Sequence, residues 1–241
     1  MSANRVCDGK QRQRLSPIHP DALYCVVAGA FLSDRPGMNG FGAVLGRVDD
    51  DKFQLTLLRD ALRSATDAPH ERLHLHDGFS RVKDGTISLS QYRALLVRLY
   101  GFYLPFEHAV GAEPLRTRWL EADLAWSGVN ADTISHIPRC ADVPRYDGAD
   151  RRLGALYVVE GSALGGRQLC RGLDRLLGRQ AIDGRRFFAG RGAETGAAWL
   201  GYLDRLAAAG PEPARRDGVI GAAIETFAVF EKWLSGWDKT A

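Results

Sequence analysis

The chain has 241 residues, 45% hydrophobic and 25% charged, with a formal net charge of +3. That profile suits a globular protein with one sizeable core, and its basic excess is too mild to argue for nucleic acid. Arginine carries most of that excess, which would suit a pocket for a dianionic ligand.

The four cysteines, Cys7, Cys25, Cys140 and Cys170, are scattered without a C-x-x-C pair. They read as reduced thiols of a cytosolic protein, neither a disulfide framework nor a zinc site. Residues 1–51 differ from the rest: Pro17, Pro20 and Pro36 interrupt them and no helical period is sustained. Within them Ala22 to Leu32 is apolar but too short to span a membrane. Basic residues precede it and Ala28-Gly29-Ala30 has the small-x-small form of a cleavage site, so a signal peptide is one reading. The prolines ahead of the run favour the other, a flexible N-terminal extension. The glycines from Gly40 to Gly46 lack the spacing and the βαβ surroundings of a dinucleotide loop.

From Phe53 the pattern turns helical, with Leu55, Leu58, Leu62 and Ala65 on one face. Thr66 and Asp67 ahead of Pro69 predict the first turn of a new helical segment. His70, Glu71, His74 and His76 follow. Asp84-Gly85 predicts a turn, and Ser88 or Ser90 caps the next helix. That helix, Gln91 to Val110, is dense in leucine and aromatics, with a kink expected at Pro105. Arg116 to Trp126 places Trp119, Leu120 and Leu124 inward. A short helix starts at Asp132 and stops before Pro138 and Pro144. The stretch LGALYVVEGSALGGR, Leu153 to Arg167, opens a helix that runs on through Leu169, Leu173 and Leu176 to Gly178. Asp183 to Gly192 is a loop with paired aromatics. Helices over Glu194–Ala209 and Ala214–Leu234 close the chain, the last with Ile220, Ile224, Phe227, Phe230 and Leu234 as its core stripe. The expected architecture is all-α, a single domain over residues 52–241 of about seven helices.

Two features point to chemistry. Gly161, Gly165 and Gly166 crowd one helix, and each costs about 1 kcal/mol relative to alanine there. Without Cβ atoms the main chain can come close to something flat or bulky. Close helix–helix packing, or a glycine turn between two helices, explains the same spacing. His70 is the sharpest single residue. Alone it reads as a surface or capping histidine, but Arg63 lies about two helical turns earlier, where it can meet an anion. The glycine helix is then able to close over the opposite face of a planar group.

These stretches resemble the heme oxygenase family. SATDAPHERL, Ser64 to Leu73, is similar to its proximal-histidine segment, and LGALYVVEGSALGGR to its glycine-bearing distal helix. Gly101–Glu107, Ile137–Pro144, Phe187–Trp199 and Glu225–Leu234 resemble the bacterial, phytochrome-associated branch most. The likeness runs from Leu55 to about Leu234.

The resemblance implies an all-helical fold that sandwiches heme between a proximal and a distal helix. His70 is then the axial iron ligand, with His74 as its rival, and Arg63 meets a heme propionate. Gly161, Gly165 and Gly166 bring main chain onto the distal face, and Phe227 touches the macrocycle. Heme is both cofactor and substrate, opened to biliverdin, carbon monoxide and ferrous iron with O2. An external ferredoxin or reductase supplies the electrons. The product can pass to a phytochrome, in the cytoplasm and without a membrane. Many relatives carry aspartate where this chain has Ser162, so the proton route, through ordered water, has a neutral hydroxyl in it.

Other classes fit the residues less well. A non-catalytic heme or tetrapyrrole carrier shares the fold. A diiron oxidase would use Glu71-x-x-His74, yet no second E-x-x-H exists in the chain. A thiaminase-like hydrolase would need Cys170 as nucleophile, with no activating neighbour in sequence.

Overall fold

Ten α-helices and two 3-10 turns build the described part of the computed structural model, residues 42–179, 181–209 and 212–240; no strand occurs among them. The all-α expectation holds. In chain order the helices are α1 (Gly42–His74), α2 (Asp77–Asp84), α3 (Leu89–Val110), α4 (Leu115–Trp126), α5 (Ala131–Ser135), α6 (Ala149–Gly172), α7 (Asp174–Leu177), α8 (Arg186–Ala189), α9 (Thr195–Ala208) and α10 (Pro213–Leu234). The signal-peptide reading lies outside the described residues, as does the expected extension up to residue 41.

Local chemistry sets several boundaries as the sequence suggested. Ser88 caps α3 in a reciprocal box: its hydroxyl accepts from Gln91 N, and the Gln91 side chain accepts from Ser88 N. Gly85 ends α2 in the left-handed region, at φ 66°. Asn130, which the sequence reading did not single out, caps α5 by accepting from Thr133 N.

Three expectations need correction. The helical stretch begins at Gly42, about three turns before the apolar repeat becomes visible at Phe53. Pro69 starts no new segment; α1 runs through it to His74. Local signals favoured a break, but Leu58, Leu62 and Thr66 are buried along that helix, and the Thr66 hydroxyl turns back to donate to Leu62 O at 2.7 Å. Ile224 is not core. It is 44% exposed, and the inward face of α10 is Val219, Ala222, Ala223, Thr226, Phe227, Phe230 and Leu234.

The small residues of that face explain the arrangement. Helix α6 lies along α10, and at Gly154 the two backbones meet: a Cβ there would collide with Val219 O. At the other end of α6, a Cβ on Gly172 would collide with Val82 O of α2. Two apolar clusters flank α6. One is centred on Phe102, Phe106 and Phe230. The other joins Leu58 and Leu62 of α1, Val158 of α6, Trp199 and Tyr202 of α9, and Phe227 of α10.

Two buried carboxylates serve as borrowed caps. Glu107 of α3 accepts from Arg116 N, Thr117 N and the Thr117 hydroxyl, at 2.9, 3.0 and 2.7 Å. It satisfies the first turn of α4, whose own N-cap residue, Pro114, bonds nothing with its side chain. Asp123 does the same for α8, accepting from Arg186 N and Phe187 N at 2.8 and 2.9 Å.

Gly154→Ala is expected to destabilise the protein by about 3 kcal/mol, because the α6–α10 backbones must part. Gly221→Ala on the open face of α10 should instead stabilise by about 0.5–1 kcal/mol. Denaturant midpoints of the two variants check the contrast.

Candidate functional site

The C-terminal turn of α1 presents His70 and His74 on one face. Their Nε2 atoms lie 3.2 Å apart, with the rings edge-on. Burial lowers the pKa of His70 below the ordinary histidine value, and His74 lowers it further; Glu71 and Asp67 pull the other way. The imidazole is therefore neutral at neutral pH and keeps a lone pair for a metal. Glu71 Oε1 stands 3.7 Å from His70 Nδ1, behind the ring. The turn is fastened to α10: Arg72 forks onto both oxygens of Glu231, and His76 Nε2 lies 3.2 Å from Leu234 O.

Phe227 of α10 connects this turn to the glycine helix. Its ring is T-shaped to His70, with centroids 6.5 Å apart. It belongs to the cluster that also holds Val158, Tyr157 and Leu164 of α6. The histidine turn and the glycine stretch thus border one apolar cluster. Arg63 is exposed, on the same helix as His70.

The three glycines of α6 divide by neighbour. A Cβ on Gly165 would meet nothing within 4 Å, and one on Gly161 only Trp199 Cζ3, at 4.0 Å. Their main chain is open to a flat partner. A Cβ on Gly166 would stand 2.6 Å from Phe188 O. That glycine lets α6 seat on α8, whose position Asp123 fixes. A cleft lined by Glu160, Arg191, Ala198, Gly201 and Arg205 opens between α6 and α9.

Behind Ser162 lies a polar network that the sequence did not announce. The Ser162 hydroxyl donates to Val159 O at 3.0 Å. Arg116 reaches the same carbonyl at 3.3 Å and pairs with Glu160 at 3.1 Å, both side chains nearly buried. Tyr103 is buried beside them; desolvation pushes its pKa up to about 12, so it stays a phenol. Only the tertiary fold shows that Arg116, about 45 residues from Ser162, belongs here. Glu71 could have been noticed from its place next to His70.

The described residues form an all-helical protein with a histidine turn and a glycine helix on one apolar cluster. The family model for heme oxygenase matches residues 56–236, three quarters of the chain. The chain belongs to the heme oxygenase family. Its fold is similar to heme oxygenase-1 from the cyanobacterium Synechocystis sp. PCC6803, solved in complex with heme, with a TM-score of 0.59. The two chains share 18% sequence identity over 74% of this chain and 90% of that one. No curated protein matches the chain. Among the described residues no helix is long and apolar enough to cross a membrane.

Burial raises the Asp123 pKa from 3.8 to about 6, against the two backbone N–H groups that lower it. The folded protein then holds a proton there that the unfolded chain has lost. Stability contributed by this carboxyl is highest below pH about 4, falls as pH rises to about 6, and is flat above. Asp123→Asn should remove that part of the pH dependence, as measured by urea unfolding at intervals from pH 4 to 7.5.

Proposed function

We propose that the chain opens heme to biliverdin, carbon monoxide and ferrous iron. It would use O2 and electrons from a ferredoxin or reductase. The observation that carries this reading is the family match across residues 56–236. The fold neighbour holding heme supports it. Bound heme would supply the iron that activates oxygen and is itself the ring to be cleaved.

The residues of the site fit that group. His70 Nε2 would hold the iron, its imidazole kept neutral by burial, with Glu71 Oε1 3.7 Å from Nδ1. Phe227, T-shaped to His70 within the same cluster, would pack against the bound ring. Gly161 and Gly165 would offer an open main-chain face to the heme, since a Cβ on Gly165 meets nothing within 4 Å and one on Gly161 only Trp199, at 4.0 Å. Gly166 holds α6 on α8, and so keeps that face in place. The Arg63 guanidinium takes a propionate as a fork onto a carboxylate. Ser162 Oγ orients water for proton delivery; the Arg116–Glu160 pair and the Tyr103 phenol fix the carbonyl and hydroxyl around it. The site lies within the 52–241 domain. By its resemblance to the phytochrome-associated branch, the protein acts in the cytoplasm and passes biliverdin to a phytochrome.

The test is hemin with a reducing system, followed by absorbance. Wild type should yield biliverdin; bound hemin without product would assign a carrier instead. His70→Ala should lose the histidine-ligated spectrum and regain it with added imidazole. An unchanged spectrum moves the ligand to His74. Gly165→Leu should fold normally and yield at least tenfold less biliverdin, about 1.4 kcal/mol or more in barrier, because its side chain fills the open face.

A further inference from the structure

Residues 70–74 read His-Glu-Arg-Leu-His. On a helix, H-E-x-x-H sets two imidazoles one turn apart on a single face, the spacing with which zinc is held. Here that stretch is helical, and the two Nε2 atoms are 3.2 Å apart. A zinc ion bonded at about 2.05 Å to each would subtend roughly 100° between them, close to a tetrahedral angle. The ring planes meet at 76° with centroids 4.4 Å apart, so both nitrogens converge without stacking.

The surroundings suit an ion. Glu71 Oε1 lies 3.7 Å from His70 Nδ1, so its charge favours a proton on that nitrogen over Nε2. The His70 side chain is 37% exposed and His74 is exposed, so an ion can enter and water can complete its shell. The Arg72–Glu231 fork holds the turn against α10. Among the described residues no third histidine, cysteine or carboxylate joins the pair. The site is a two-ligand chelate, open on its outer side.

We propose that His70 and His74 together bind a divalent transition-metal ion of the zinc type. The chelate stands on its own geometry. A consequence rests on the heme oxygenase reading: a nitrogen serves one metal at a time, so the ion and heme exclude each other at His70.

The experiment is calorimetric titration of the full-length, heme-free protein with zinc chloride in a non-coordinating buffer. It is repeated with His70→Ala and His74→Ala, their helical content checked by circular dichroism. Wild type should take up one ion per chain, and each variant should bind more than about tenfold more weakly. If alanine unfolds either position, His→Gln replaces it and the same loss is expected. Absence of binding by wild type, or binding by either variant as tight as that of wild type, overturns the chelate. Hemin titrated into the zinc-saturated protein separates the two readings. A weakened hemin affinity supports competition at His70. Unchanged hemin affinity with zinc still bound overturns the competition and removes His70 as heme ligand, while the zinc site stands.

Discussion

Helix α6 can lie where it does because residues 154, 166 and 172 lack a Cβ. At each, a carbonyl oxygen of another segment occupies the space a side chain would need: Val219 of α10, Phe188 of α8 and Val82 of α2. Those contacts fix α6 at both ends and beside its middle. The two glycines that meet nothing, or almost nothing, Gly161 and Gly165, fall between the fixed points. The open stretch of main chain is therefore held rigidly by its own neighbours. This is the arrangement that an approaching planar group requires, since the helix cannot back away from it.

The second constraint is electrostatic. Among the described residues two carboxylates are buried, and each is stabilised by the helix start it caps. Glu107 ties α3 to α4, and Asp123 ties α4 to α8. Through Arg116 the first of these reaches α6 next to Ser162, and through Phe188 O the second reaches Gly166. Both buried carboxylates thus reach the glycine helix through the elements they cap. An uncompensated charge at either place would be costly, so neither residue tolerates loss of its partners.

Much of the fold was legible because its signals are local. Ser88 with Gln91 three residues on, the glycine after α2, and the leucine spacing of α3 all describe short-range chemistry. The errors came where distant packing decides. Pro69 looks like a beginning, yet buried residues on the same helix carry α1 past it. Ile224 fits a three-and-four spacing, but the face that meets α6 is chosen for small size, and Ala222, Ala223 and Thr226 give a hydrophobicity count little to find. The glycine cluster was visible, whereas its division was not. Nothing in LGALYVVEGSALGGR separates Gly166 from Gly165, since the carbonyl that needs Gly166 comes from residue 188. His70 was visible through its motif and Glu71 through its place beside it, whereas Glu231, which holds the neighbouring Arg72, showed only through geometry.

Pro69 carries a last consequence. Proline has no N–H, so the carbonyl one turn before it, at Ala65, loses its helical donor at the very step that leads into His70. The ladder of backbone hydrogen bonds is weakest just there. The fork of Arg72 onto Glu231 of a neighbouring helix adds a second hold on the turn that carries the imidazole. The histidine turn is thus a tile clipped to α10, its weakest backbone step bridged by contacts from another helix.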